Sequence, residues 1–380
     1  MKKFFFLYLL MSQLCANTPQ LFDLQSEGFE QYQDIYIQGK VVKKASYNER
    51  FMEKRFAIVN SVLQRYKRSF TLLDIGAAQG YFSIRAAESY PESVFVMLEG
   101  SNPVYPKISQ QLASICELNN HLKNLIWLNK SLFLKDLKDV STCEHFDVIL
   151  LLNIVHWFPD QWKEMIDIAH SMSHVTIFEV PPIENTLPKD QLRLRKQIHK
   201  YLGALAKQSI RGIPRHTDPS LYTTYYILEN KGPFELKKTS LIHPNFEDRT
   251  HIITCNYETK KFEKVDQVEP FLRYSSEWKA GINLITYLML QGAYPSREEV
   301  GSCLPEEYSH KDWMLNNMIL QGKKISLIDQ NDEKNEVSRC GSNLCTPQLR
   351  KQLEEFILID EPEKFEKTFF NYFSKGAHED

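Results

Sequence analysis

The sequence predicts an α/β protein built on a doubly wound, seven-stranded sheet, followed by a smaller, mainly helical carboxyl-terminal domain. Three observations carry this expectation. Short apolar runs alternate with helical stretches between Thr71 and Val180, as a succession of βαβ units requires. A glycine bend from Gly76 to Gly80 joins the first run to a helix. Two further strand-like runs follow the fifth and are placed to close the sheet as an antiparallel pair. A chain of 380 residues exceeds the usual single domain, so a second unit is expected.

Taken in order, Met1-Lys2-Lys3 and the apolar run from Phe4 to Met11 have the basic start and short core of a secretion signal. The run is too short to span a bilayer. Residues 1–16 therefore read as a signal peptide or amino-terminal anchor, with membrane association through this segment, and residues 17–47 as an extension. A helix is expected over 48–66, because Phe51, Phe56, Val59 and Val62 recur at helical spacing. Five strands follow, over 71–75, 94–98, 125–128, 146–152 and 175–180. After the Pro181-Pro182 break comes a helical insert, 186–230, read as a substrate cap. Strands over 234–241 and 251–257 then close the first domain, 48–257, and the charged stretch 258–266 reads as a linker. The second domain, 268–380, is expected to hold a helix over 276–291, a polar loop over 310–317, a hairpin around Gly322 and a terminal helix opened by Thr346-Pro347.

Composition narrows the function. A net charge of -2 supplies no global basic field, so nucleic acid is not an expected partner, and the local candidate is the stretch 189–215. Of the seven cysteines, Cys116, Cys143 and Cys255 lie in or beside apolar segments and read as reduced core thiols. No cysteine or histidine cluster has metal-ligand spacing, so no metal is expected.

The most informative stretch is LLDIGAAQGYFS, a buried strand that ends in Asp74 and turns through Gly76, Ala78 and Gly80 into a helix. The glycines let backbone approach a ligand, and the helix start near Tyr81 directs free amides toward it. Glu99 ends the next strand, where a carboxylate can accept hydrogen bonds from both ribose hydroxyls. By themselves these residues leave open a plain strand-to-helix turn or a nicotinamide dinucleotide site.

DIGAAQG, the acidic end of VFVMLEG, and FDVILLLNIVHWF resemble motifs I, II and IV of the class I S-adenosylmethionine-dependent methyltransferases. The resemblance covers about residues 50–257. It implies a Rossmann-like sheet and S-adenosylmethionine as cofactor, with Asp74 and Gly76 at the methionine end and Glu99 at the ribose. Ala78 stands where the family often has a middle glycine. The adenine would lie near Leu128, Asn129 and Ser131, with Asn129 facing its amino group. The cofactor is a cytosolic metabolite, which favours a cytoplasm-facing protein and conflicts with export.

Methyl transfer is an in-line displacement at activated carbon, so the protein supplies proximity, alignment and a dry site. Asn153, His156 and Trp157 follow the fourth strand and face the expected cofactor mouth. His156 is a candidate base, or a rim residue that contacts the acceptor without proton transfer. Glu179, ending the fifth strand, would orient His156 or a substrate amine, or serve structure alone. Arg193, Arg195, Lys196 and Lys200, opposed in that helix by Asp190, form either a solvated basic face or a grip on an acceptor phosphate or carboxylate. The expected acceptor is a small or saccharide-like molecule methylated on oxygen or nitrogen.

Farther on, HKDWMLNNMILQGKKISLIDQND resembles the catalytic loop of aminoglycoside- and choline-type phosphotransferases. The resemblance places Asp312 at an acceptor hydroxyl, with Asn317 and Asp329 at magnesium. No glycine-rich loop or strand lysine precedes it, which favours a retained fold fragment over a working kinase. A bifunctional methyltransferase with a phosphotransferase module, and a non-catalytic cofactor-binding module, stand as the alternatives.

Overall fold

A computed structural model describes residues 32–45, 51–100, 106–131, 133–141, 144–214 and 220–230, the strands 234–239, 250–256, 261–266 and 273–277, and parts of 280–327. The signal-like segment 1–16, Cys143, the loop residues His310, Asp312 and Asn317, Asp329 and the terminal helix lie outside the described residues. Among those described, no helix is long and apolar enough to cross a membrane.

A short hairpin, β1 (Ile35–Ile37) and β2 (Lys40–Lys43), precedes helix α1 (Met52–Leu63). The parallel core then runs β3 (Thr71–Ile75), α2 (Tyr81–Ser89), β4 (Val94–Leu98), α3 (Ile108–Leu118), β5 (Leu125–Leu128), α4 (Leu134–Ser141), β6 (Phe146–Leu152), a one-turn 3₁₀ helix (Val155–Trp157), α5 (Trp162–Ser171) and β7 (Ser173–Val180). Helix α6 (Lys189–Leu205) leads to β8 (Gln208–Pro214) and β9 (Tyr222–Glu229). The sheet order is β5-β4-β3-β6-β7-β9-β8. Strands β3 to β7 are parallel, and β9 runs antiparallel to both of its neighbours. This is the doubly wound, Rossmann-like sheet expected from sequence.

Each core strand feeds two apolar layers because side chains alternate faces. Leu73, Ile75, Val96, Leu98, Ile149 and Leu151 pack on one side with Leu137 of α4, Ile166 of α5 and Ile198 of α6. Leu72, Phe95, Met97, Val148, Leu150 and Leu152 pack on the other with Val59 and Val62 of α1, Phe82 of α2 and Leu112 of α3. The near-continuous apolar strands of the sequence are therefore those covered by helices on both faces.

Three expectations are corrected. The strands that close the sheet are β8 and β9, inside the stretch read as a helical cap. The runs chosen from sequence instead form β10 (Phe234–Thr239) and β11 (Thr250–Asn256) of a separate antiparallel sheet, completed by β12 (Lys261–Asp266) and β13 (Arg273–Glu277) in the order β10-β11-β12-β13. The stretch read as a linker is thus largely strand β12. The helix expected over 276–291 is also interrupted, since β13 ends at Glu277 and β14 (Ile282–Asn283) pairs with β15 (Met318–Leu320). The hairpin around Gly322 is present, formed by β15 and β16 (Ile325–Leu327).

Candidate functional site

Strand order reverses between β3 and β6, where crossovers leave in opposite directions, and this is where open α/β sheets bind ligands. The bend after β3 lies beside the end of β6. Gly76 has φ +72, and a Cβ there would stand 2.4 Å from Ile154 Cδ1, the residue after Asn153. Ala78 and Gly80 also have positive φ, +51 and +73. Alanine at Ala78 therefore occupies the left-handed region in a position where glycine costs nothing.

Glu99 turns back onto this bend. The Ala78 amide donates to its Oε2 at 2.8 Å, so the strand-end carboxylate and the glycine loop face one another. Burial pushes the Glu99 carboxyl up to about 7, the Ala78 amide pulls it down, and the Asp74 charge raises it further. Gly100 follows in close contact with the β5 loop, where an added Cβ would stand 2.4 Å from the Ser131 backbone nitrogen. Asn129 lies exposed in the same loop.

Asp74 points into the protein and accepts from Ser83 Oγ of α2 at 2.8 Å. Burial lifts its pKa to about 6, opposed by the Ser83 hydrogen bond and by Arg55. It therefore fixes the loop to α2 rather than presenting a bare carboxylate.

The amide of Asn153 donates to the Glu179 carbonyl at 2.9 Å, which sets the ends of β6 and β7 side by side. Asn153 itself has φ +60. Its Oδ1 and the Glu179 Oε1 are buried and have no hydrogen-bond partner among the described residues. The other Glu179 oxygen is held by Arg55 of α1 through both Nη2 and Nε, the latter at 3.1 Å. Tyr225 of β9 lies beside this pair, 3.4 Å from Arg55 Nε. Tyr32 is hydrogen-bonded to Asn153 and Arg55, and burial raises its phenol pKa. The ionic partner of Glu179 is thus Arg55, not His156.

His156 sits on the 3₁₀ turn with its ring packed on Trp157 at a centroid distance of 5.4 Å. Trp157 is 58% exposed, and Phe133 and Ile183 are exposed as well. These three residues follow the carboxyl ends of β6, β5 and β7, so an apolar rim lies on the same edge as the loop. Arg195 of α6 turns inward to Glu184 Oε1 and the Pro182 carbonyl, at 3.0 and 2.9 Å. The basic helix is therefore opposed by Glu184 as well as Asp190, which leaves Arg193, Lys196 and Lys200 exposed.

Sequence reasoning missed Arg55, Tyr32, Tyr225 and the inward glutamines Gln33 and Gln79. It also placed a free amide at Tyr81, whereas that amide donates to Gln33 Oε1 at 3.0 Å. Arg55 had a signal of its own, since it shares the spacing of Met52, Phe56, Val59 and Val62, the buried face of α1.

No protein-family model and no curated protein sequence matches the chain. Among solved structures, an O-methyltransferase family protein from Burkholderia thailandensis is similar at 14% identity and TM-score 0.34, over 48% of this chain and 64% of that one. The O-methyltransferase TomG from Streptomyces achromogenes, solved with S-adenosylmethionine, is similar at 16% identity and TM-score 0.35, over 46% of this chain and 79% of that one. WbdD is similar at 16% identity and TM-score 0.40, over 82% of this chain and 81% of that one.

Proposed function

We propose that the chain binds S-adenosylmethionine at the β3–β6 switch point and transfers its methyl group to an oxygen or nitrogen of a small or saccharide-like acceptor. The observation that carries this reading is the contact of Glu99 with the Ala78 amide, which places a ribose-type carboxylate over a left-handed glycine bend. The residues fit the cofactor in two further respects. Gly76 lets the left-handed bend lie closer to Ile154, at the end of β6, than a residue with a Cβ could. Asn153 and Glu179 offer two buried oxygens without donors among the described residues, and such groups are costly to leave unmet.

The cofactor supplies a methyl group already activated by positive sulfur. The chain's part is to hold, align and dry the site. Glu99 binds hydroxyl donors, while Ile154 packs over Gly76 and bounds the site above the bend. Trp157 and Phe133 form the rim against which an acceptor face packs, and His156 receives a proton when the acceptor atom carries one.

The test is calorimetry with S-adenosylhomocysteine, followed by transfer of labelled methyl to pooled small-molecule and saccharide acceptors. Binding that is lost in Glu99→Ala, together with a labelled product, supports the reading. Absence of heat with the wild-type protein overturns it, and heat without product reduces the chain to a binding module.

A further inference from the structure

Three buried glutamines link the amino-terminal segment, the glycine loop and α3. The Gln33 amide donates to Gln79 Oε1 at 3.0 Å, and Gln79 Nε2 donates to Gln111 Oε1 at 3.1 Å. Gln33 Oε1 in turn accepts the Tyr81 amide at 3.0 Å. Their exposures are 3%, 0% and 2% for Gln33, Gln79 and Gln111, so water does not compete for these bonds. The Tyr81 amide opens α2 and is one of the helix-end donors that no helix can satisfy itself. A buried, satisfied relay of this kind stiffens what it joins.

What it joins needs outside support. Ala78 lies at φ +51 between the left-handed glycines Gly76 and Gly80, and for a residue with a side chain that conformation is held by surrounding contacts. The segment that supplies Gln33 is itself tied down at several points. Asp34 Oδ1 accepts from the Ala45 amide at 2.8 Å, and Tyr36 Oη donates to Glu88 at 2.6 Å. Asn119 of α3 accepts from the Gln38 amide and donates to the Tyr36 carbonyl, both at 3.0 Å. Tyr32, at the head of the segment, reaches Asn153 and Arg55.

We propose that residues 32–38 form a strap that sets the glycine loop in its ligand-ready shape before any ligand arrives, with Gln33 as the positioning residue. The inference rests on the reading of this loop as an adenosyl site, and it gives the amino-terminal extension a role in cofactor affinity. Binding to a loop already in shape avoids the cost of ordering it.

The test compares Gln33→Met, which keeps length and burial but has no acceptor, with Gln33→Glu, which keeps an acceptor at the start of α2. Two readouts apply: amide hydrogen exchange of residues 76–82 without ligand, and Kd for S-adenosylhomocysteine by calorimetry. Gln33→Met should exchange faster and bind about tenfold more weakly, the scale of one lost buried hydrogen bond. Gln33→Glu should behave as wild type, a rescue that a mere packing role would not produce. Wild-type exchange and affinity in Gln33→Met overturns the proposal. Should that variant not fold, Gln33→Asn, one methylene too short to reach the Tyr81 amide, takes its place, and unchanged exchange there overturns the proposal equally. Absence of heat with the wild-type protein counts against the adenosyl reading, and the exchange comparison then decides alone whether Gln33 holds the loop.

Discussion

Glu99 makes affinity and stability depend on pH in opposite directions. Its carboxyl is raised by burial from 4.5 to about 7, and Asp74 is raised by burial from 3.8 to about 6. The folded chain therefore keeps protons that the unfolded chain has already released. Their contribution to stability is fully present below the unfolded values and is lost as pH rises through the folded ones. The ligand-free protein should lose thermal stability between about pH 4 and 7, and Glu99→Gln should flatten the upper part of that fall in a pH series of melting temperatures. On the proposed reading, ribose hydroxyls donate to the ionised carboxylate, so affinity for S-adenosylhomocysteine should rise from about pH 6 to 8, with a proton released on binding. Calorimetry in buffers of different ionisation enthalpy measures that proton, and a flat affinity across the range removes Glu99 from the contact. At Gly76, alanine meets both the left-handed φ and Ile154. Gly76→Ala should cost about 1–2 kcal/mol by denaturant titration and weaken S-adenosylhomocysteine further, because displaced Ile154 moves toward the site.

At the scale of elements, α1 is more than a cover for the sheet. It delivers Arg55 to Glu179 across 124 residues of sequence, and both side chains are almost wholly buried. Removing the cation strands a buried carboxylate, so Arg55→Leu should lower unfolding free energy by about 3–5 kcal/mol. The double variant Arg55→Leu with Glu179→Leu should recover much of that loss, and denaturation midpoints of the three proteins decide it. A single-variant loss below about 1 kcal/mol would show that the pair is solvated. Helix α6 is held in a comparable way by His199, whose ring nitrogens lie 2.8 Å from Tyr226 Oη and 2.8 Å from the Pro181 carbonyl. The nitrogen facing the carbonyl must carry the proton, which leaves the other to accept from Tyr226. Burial holds the His199 pKa down, opposed by the Pro181 hydrogen bond. Neither pairing is visible in a helix pattern, because a polar residue on an apolar face reads as an interruption until its partner is in place.

Over the whole molecule, several of the described residues from Ala280 onward share the core of the first domain. Ala280, Ile282, Tyr287, Leu290 and Leu320 lie in the same apolar cluster as Leu73, Phe146 and Ile149. Thr71 Oγ1 accepts from the Gly281 amide at 2.7 Å, and the Gly322 backbone presses on Lys123 and Asn124. Thr71 and Lys123 lie at the amino ends of β3 and β5, the edge opposite the glycine loop. A chain ended at residue 257 should therefore be destabilised or insoluble even though it keeps the glycine bend and Glu99, since each large apolar side chain uncovered costs about 1.5–3 kcal/mol. Melting and solubility of the truncated chain against the full one test this, and an equally stable truncated protein would mark the contact as marginal.

The five parallel strands, the glycine bend and Glu99 were legible because their requirements are local. A strand covered on both faces must be apolar throughout, a left-handed turn favours glycine, and an acid ending the next strand lies at the same sheet edge. The closing strands were not legible in this way. Strand β8, QSIRGIP, is an edge strand with most of its side chains exposed or half-buried, so it carries little apolar pattern, while β10 and β11 alternate more clearly yet pair elsewhere. Sequence by itself determined the doubly wound sheet and the glycine bend that follows its first core strand. Tertiary structure alone decided that Arg55 neutralises Glu179, that Gln33 accepts from the Tyr81 amide and that β9 closes the sheet. Each of these depends on groups far apart in the chain, and burial makes such a partner a necessity only once folding has brought the two together.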